Sequence, residues 1–271
     1  MTKSTQVYGA GQTSQTESGG RKIEWVRSYM PVLNNIRQRF AEEKPLKGLR
    51  ITISIHLEAK TAYLATVLRD AGADVAVTGC NPLSTQDDVA EYLRSLGFSV
   101  FAKHGEDMDS YRRHLVMALS HRPHLLIDDG GDLMELLHGE HRDLGIALIG
   151  GCEETTTGIS RLRSRHAAGK LLYPMIAVNN AECKYLFDNR YGTGQSVLDA
   201  IMNTTNTVIA SKQVVIAGFG WCGRGIALRA KGMGARVIVT EVNPVRALEA
   251  AMEGYQVMTM DDAAPVGDIF I

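Results

Sequence analysis

The chain has little that would tie it to a membrane, a nucleic acid or an oxidising compartment. No apolar run approaches the ~20 residues that a membrane span requires, and the polar N-terminus lacks the apolar stretch of a secretory signal. The 29 lysines and arginines are balanced by 30 acids, for a formal net charge of −1. The two signs are interspersed, so no basic surface for a phosphate backbone is expected. Only four cysteines occur, Cys80, Cys152, Cys183 and Cys222. Their spacing fits neither a disulfide framework nor a metal site, so no metal is expected and they read as reduced thiols of a cytoplasmic enzyme. What remains is ordinary globular material, 45% hydrophobic and 22% charged over 271 residues. Two domains with real cores are the natural expectation.

The most informative segment lies late in the chain. Val214-Val215-Ile216-Ala217 runs into Gly218-Phe219-Gly220-Trp221-Cys222-Gly223, a helical run over 226–233 follows, and a second strand over 236–240 closes on Glu241. Each piece has a reason in a dinucleotide site. Gly218 permits the tight turn, Gly220 lets the backbone approach a pyrophosphate, and Gly223 lets helix and strand pack closely. The helix N-terminus offers unpaired N–H groups to the phosphates. Glu241 is placed to accept from a ribose 2′-hydroxyl, which favours NAD over NADP. The residues beyond Glu241 suffice for only half of a six-stranded dinucleotide domain. Gly267-Asp268-Ile269-Phe270-Ile271 reads as a strand cut off before its loop, so the chain is expected to be C-terminally incomplete.

Upstream, residues 1–19 are rich in Ser, Thr, Gln and Gly and are expected to form a flexible N-terminus. Ile23, Val26, Tyr29, Leu33, Ile36 and Phe40 mark one helical face over 21–43, with Pro31 set to kink or divide it. Strands and helices then alternate: strand 49–55, helix 58–71, strand 74–78, helix 86–96, strand 98–102. Helix 107–120, strand 124–127, helix 132–140 and strand 146–150 continue the series, and helix 156–168 and strand 172–177 end it. The alternation predicts an α/β fold. A doubly wound parallel-sheet domain over 20–187, binding substrate, would be followed by a partial Rossmann NAD-binding domain over 188–271.

In such sheets ligands sit beyond the carboxyl ends of the strands. Those ends are polar here. They carry His56, then Cys80-Asn81, then Asp128-Asp129-Gly130-Gly131-Asp132, then Cys152-Glu153-Glu154-Thr155-Thr156-Thr157. Taken singly, the histidine suits a structural hydrogen bond and Asp132 a helix N-cap. Together at one sheet edge they point to a site.

The same residues resemble the adenosylhomocysteinase (S-adenosyl-L-homocysteine hydrolase) family. The runs that carry the resemblance are Lys44-Pro45-Leu46-Lys47-Gly48, Cys80-Asn81-Pro82-Leu83-Ser84-Thr85-Gln86-Asp87 and Asp128-Asp129-Gly130-Gly131-Asp132-Leu133. Glu153-Glu154-Thr155-Thr156-Thr157-Gly158, the Phe187-Asp188-Asn189 and Tyr191-Gly192 pairs, and the glycine fingerprint ending in Thr240-Glu241 extend it over essentially 20–271. His56-Leu57-Glu58-Ala59-Lys60-Thr61 looks like the family's archaeal and thermophilic branch. The resemblance implies reversible hydrolysis of S-adenosyl-L-homocysteine to adenosine and homocysteine, with tightly held NAD as a catalyst that is not consumed. It implies a small-molecule substrate and a homo-oligomer, tetrameric in full-length relatives, with no nucleic-acid or membrane partner.

Role by role, the resemblance assigns Lys184 to removal of the ribose 3′-hydroxyl proton, with Asp188 positioning it. Asp129 falls to the C4′ proton, and His56 to acid–base work near the 5′ leaving group. Glu154 is implied as a ribose-binding carboxylate. Thr155, Thr156, Thr157 and Asn189 are implied near the cofactor, beside Gly218, Gly220, Gly223 and Glu241. Arg246 stands where many members carry Asn near the cofactor, and Thr193 where many carry Cys. Glu58 and Lys60 replace a Thr and a Glu beside the purine. A glutamate accepts from the 6-amino group of adenine, whereas a lysine donates and suits the 6-keto oxygen of hypoxanthine. S-inosyl-L-homocysteine is therefore the alternative substrate, and a non-catalytic truncated homologue the alternative role. The 271-residue chain itself is expected to be inactive or impaired.

Overall fold

The computed structural model describes residues 15–271, which fall into two compact units, up to Val178 and from Asn179 onward. The expected flexible N-terminus lies outside the described residues over 1–14. Its last residues are ordered in helix α1 (Gln15–Arg27). The composition misled because those small residues serve packing: a Cβ on Gly19 would lie 2.0 Å from the carbonyl oxygen of Asp88. The Ser18 hydroxyl donates to Asp88 at 2.7 Å and Lys22 pairs with the same carboxylate at 2.9 Å. Pro31 opens α2 (Pro31–Glu43), where its missing N–H costs nothing.

The first unit then alternates strictly. It runs β1 (Arg50–Ser54), α3 (Ala59–Asp70), β2 (Asp74–Thr78), α4 (Asp87–Ser95) and β3 (Ser99–Phe101). It returns through α5 (Met108–Leu119), β4 (Leu125–Asp128), α6 (Asp132–His138), β5 (Gly150–Glu153), α7 (Thr156–Ala167) and β6 (Met175–Ala177). All neighbours pair in parallel in the order β3-β2-β1-β4-β5-β6. Alternate strand residues feed the two faces. Ile51, Ile53, Val75 and Val77 pack with Ile23, Tyr63, Val89 and Leu93. Leu126 packs on the other side with Leu115, Leu119, Leu133 and Leu162. Strand order reverses between β1 and β4, which makes their carboxyl ends the ligand crevice of this topology.

The strand expected at 146–150 is displaced. Residues Arg142–Gly145 form a 3₁₀ turn, Ile146 and Ile149 are 81% and 59% exposed, and β5 is built on glycines instead. A Cβ would meet the Pro174 carbonyl oxygen at 2.6 Å from Gly150, and the Leu126 carbonyl oxygen at 2.8 Å from Gly151. Close flanking backbone selected the glycines over the more hydrophobic run. Pro174, unable to donate to a ladder, likewise shortens the strand expected at 172–177 to Met175–Ala177.

The second unit begins ahead of the 187/188 boundary read from the sequence. A short helix α8 (Glu182–Lys184) leads into a π-helical segment, Tyr185–Gly192, and then α9 (Thr193–Thr205). The close packing of this segment explains the earlier start. A Cβ on Gly225 would fall 1.6 Å from the Arg190 carbonyl oxygen, and one on Gly194 2.5 Å from Gly225. Then come β7 (Gln213–Ala217), α10 (Trp221–Gly232), β8 (Arg236–Thr240), α11 (Pro244–Met252), β9 (Gln256–Val257), α12 (Met260–Ala263) and β10 (Ile269–Phe270). They form a parallel sheet ordered β10-β7-β8-β9. Val214, Ile216, Val237 and Val239 pack under Leu198, Ile226 and Ala227. No helix among the described residues is long and apolar enough to cross a membrane.

Candidate functional site

In the first unit three strand ends converge. His56 follows β1, Cys80 follows β2 and Asp129 follows β4, so the two strands of the switch point and one neighbour each contribute a group. The Cys80 thiol donates to Asp129 Oδ2 at 3.3 Å and lies 3.2 Å from His56 Nδ1. The other imidazole nitrogen, Nε2, lies 3.5 Å from the same carboxylate oxygen. Asn81 Nδ2 contacts His56 Nδ1 at 3.2 Å. The histidine is 53% exposed while Asp129 is largely covered, so the cluster opens to solvent through its imidazole. Burial, reinforced by the charge of Asp129, pushes the Cys80 thiol well above the usual range. The three donor atoms lie within 4.8 Å of one another, a spacing one divalent cation could bridge only by displacing the thiol proton. The sequence singled out His56 and Asp129 but not Cys80 as a site residue. Its one signal was its place at a strand end.

Around this cluster the remaining strand-end residues divide between site and scaffold. Glu58 is the N-cap of α3, its Oε1 accepting from the amides of Lys60 and Thr61 at 3.0 and 3.1 Å. Lys60 is exposed, and its ammonium makes no recorded bond among the described residues. Asp132 is not an N-cap. Gly131, with φ 82°, takes that position, and the Asp132 carboxylate accepts from Tyr111 Oη at 3.0 Å and from Arg161 at 3.0 Å. Burial, then the charge of Asp132, raises the Tyr111 phenol. Glu154 is half-buried beside β5, its amide bonded to the Asp128 carbonyl at 3.0 Å. Thr155 is the N-cap of α7, with Thr156 and Thr157 exposed in its first turn. Their hydroxyls and the free amides of that turn face one way, as an anion or a hydroxylated ligand would require.

The second unit gathers its own set. Lys184 Nζ donates to Asn179 Oδ1 at 3.0 Å and Asn189 Oδ1 at 2.7 Å, and pairs with Asp188 at 3.2 Å. Each of the ammonium's three protons thus meets an acceptor. Asn189 Nδ2 returns to Asn179 Oδ1 at 3.1 Å, locking both buried amides. Lys184 is 17% exposed and Asp188 60%. Asn179, which the sequence reading missed, is the hub of this network.

The glycine fingerprint has the geometry its spacing implies. Gly218 adopts φ 103°, and its amide closes onto the Thr240 carbonyl at 2.7 Å. A Cβ on Gly223 would lie 2.0 Å from the Gly218 carbonyl oxygen, so helix and turn could not approach with any other residue. Gly220 caps α10 and faces open space, with only an Arg246 guanidinium nitrogen 4.0 Å from an added Cβ. Glu241 accepts from the Asn243 amide at 2.9 Å and the Phe219 amide at 2.7 Å. Those two bonds hold its carboxyl below the usual range, ionised and ready to accept further hydrogen bonds. An open loop at a helix N-terminus with an ionised acid beside it fits a dinucleotide.

A doubly wound sheet with an acid–base cluster at its switch point, and a second unit built around a dinucleotide-type glycine turn, define an α/β protein with nucleotide-handling architecture. The chain belongs to the S-adenosyl-L-homocysteine hydrolase family. The family described by that name matches residues 8–149, and the S-adenosyl-L-homocysteine hydrolase NAD-binding domain matches 189–271. Among curated proteins, the chain is 57% identical over 265 residues to an S-inosyl-L-homocysteine hydrolase of Methanocaldococcus jannaschii, covering 98% of this chain and 64% of that protein. It is 56% identical to an adenosylhomocysteinase of Archaeoglobus fulgidus over 93% of this chain and 62% of that protein. A Thermotoga maritima adenosylhomocysteinase is 57% identical over 94% and 63%. The chain therefore spans less than two thirds of the length of these relatives.

Proposed function

We propose that the protein acts in the NAD-dependent hydrolysis of S-adenosyl-L-homocysteine to adenosine and homocysteine, with the first unit holding the nucleoside and the second the dinucleotide. The observation that carries this reading is the His56–Cys80–Asp129 cluster at the switch point. It offers a carboxylate base and an imidazole within 3.5 Å of each other, the pair that an elimination beside a carbonyl requires. When bound over the Gly218–Gly223 turn, NAD⁺ would supply reversible oxidation at the ribose 3′-carbon, which makes the neighbouring C4′ proton acidic. Glu241 and Arg246 would hold its adenosine half, with Thr155, Thr156, Thr157 and Asn189 contributing further contacts.

The chain's own residues would then move the protons. Lys184, aligned by Asp188, Asn179 and Asn189, would exchange a proton with the 3′-oxygen. Asp129 would take the C4′ proton as the carbon–sulfur bond at C5′ breaks and homocysteine departs. His56, reaching solvent, would protonate the leaving sulfur and deliver water in the reverse sense, while Glu154 would grip the ribose hydroxyls. Exposed apolar side chains on and beside α11, Val242, Val245, Leu248 and Met252, support assembly as a homo-oligomer. The free cysteines fit action in the cytoplasm.

A second reading has its own support. Lys60 presents only donors at the entrance to α3, and one of the relatives above is named an S-inosyl-L-homocysteine hydrolase. S-inosyl-L-homocysteine would then replace the adenosyl compound.

The test is thiol release from each nucleoside thioether, followed together with absorbance of reduced nicotinamide. Homocysteine release without net accumulation of NADH supports the proposal. Accumulating NADH would identify an ordinary dehydrogenase, and nucleoside binding without turnover a non-catalytic homologue. In direct competition, a preference for the inosyl compound that Lys60→Glu shifts about tenfold toward the adenosyl one supports the second reading. An adenosyl preference unchanged by that substitution removes it.

A further inference from the structure

Beneath the open cluster lies a pair of acids that the proposed chemistry leaves unused. The parallel register sets Asp128 of β4 opposite Glu153 of β5, and both are 0% exposed. Asp128 spends its two oxygens on the amides of Asp129, at 3.2 Å, and Met134, at 3.1 Å. Glu153 spends one oxygen, Oε1, on two amides, Gly130 and Thr155, each at 2.9 Å. Gly130 directly follows Asp129, and Thr155 opens the run Thr155–Thr157. One oxygen therefore ties the loop carrying the Asp129 carboxylate to the loop carrying the threonine hydroxyls.

The surroundings are shaped for that carboxyl. A Cβ on Gly158, in the first turn of α7, would lie 2.1 Å from Glu153 Cδ, so glycine alone leaves it room. The second oxygen, Oε2, is buried with no partner. The charged groups facing the pair are mostly of the same sign: Asp129 after β4, Asp132 on α6 and Glu154 after β5. Arg161 of α7 is directed to the Gly130 carbonyl and Asp132 instead. Two desolvated carboxyls without a cation cannot both remain ionised, and burial pushes each of them up.

We propose that Glu153 is a positioning residue, which through Oε1 fixes the loop bearing Asp129 against the loop bearing Thr155–Thr157 and does so within a buried carboxyl pair that retains a proton. The positioning role rests on the function proposed above; the clasp and its proton do not.

Glutamine keeps a carbonyl acceptor at Oε1 without a charge, whereas alanine removes the acceptor. In the full chain, amide hydrogen exchange read by NMR should show Gly130 and Thr155 protected in wild type and in E153Q. In E153A they should exchange at least about tenfold faster, with the β1 amides unchanged. Equal protection in E153A overturns the clasp. The sign of the pH effect follows from the raised carboxyls. Stability is fully present at low pH and is lost as pH rises through the folded-state titration. Urea unfolding between about pH 5 and pH 9 should show that loss in wild type and a flatter profile in E153Q. Identical slopes overturn the shared proton, and this arm decides even if E153A does not fold.

Adenosine affinity, measured where the variants are folded, tests positioning apart from structure. A weakening of about tenfold in E153A that E153Q restores supports it, and unchanged affinity in folded E153A overturns it. Should wild type bind no nucleoside, the proposed function and this positioning role fall together, while exchange and pH slope still decide the clasp and its proton.

Discussion

Cys80 shows how a single residue's chemistry depends on its neighbours. Its thiol is enclosed by His56 and Asp129 and donates to a carboxylate, which disfavours the thiolate that alkylating agents require. Cys183 and Cys222 are exposed. Peptide mapping after brief iodoacetamide treatment near neutral pH should find those two modified well before Cys80. Asp129→Asn removes the secondary cause of the shift but not the burial, so Cys80 should react faster by no more than about tenfold, the equivalent of one pK step. Cys80 labelling first in the wild-type chain would contradict the enclosed thiol.

Two element ends carry more than their share of the architecture. Glu58 satisfies two of the orphan amides that open α3, and this cap accounts for an acid that the sequence placed beside the purine. Glu58→Ala should cost about 1 kcal/mol of stability, read as a lower urea midpoint with unchanged slope. Gly223 is tighter still. A methyl group 2.0 Å from the Gly218 carbonyl oxygen must push α10 away from its turn, so Gly223→Ala should cost about 1–3 kcal/mol and weaken NAD⁺ binding. Wild-type stability and NAD⁺ affinity in that variant would show that the turn has slack which the observed packing denies.

For the whole molecule the relevant quantity is how much of the relatives' length these residues supply. The second unit's four parallel strands provide the glycine turn and Glu241, which suffices for the adenosine half of a dinucleotide. NAD⁺ at about a hundred times its dissociation constant should therefore stabilise the chain by ~2.7 kcal/mol, visible as a higher thermal midpoint. Turnover is a stricter demand, because holding reacting groups in place can account for ~7–11 kcal/mol of a barrier. The chain spans 62–64% of the relatives' length, so homocysteine release by the 271-residue polypeptide should be far slower than that of a full-length relative. Equal rates would show that these residues alone complete the site.

The amino-acid sequence by itself determined what local geometry controls. Pro31 divides the first helix because it has no N–H, Gly218 turns because it tolerates positive φ, and the strand–helix alternation follows from side-chain period. The tertiary structure decided everything that depends on which distant backbones approach. It moved β5 from the hydrophobic run at 146–150 onto Gly150–Glu153, since only glycines fit against Pro174 and Leu126. It also brought Cys80 to His56 and Asp129 across 24 and 49 residues of chain, and hung the Asp129 loop on Glu153 across 23. Pairings at such separations leave no periodic or propensity signal, because the energy that selects them comes from desolvation and hydrogen bonding that exist only once the strands are side by side.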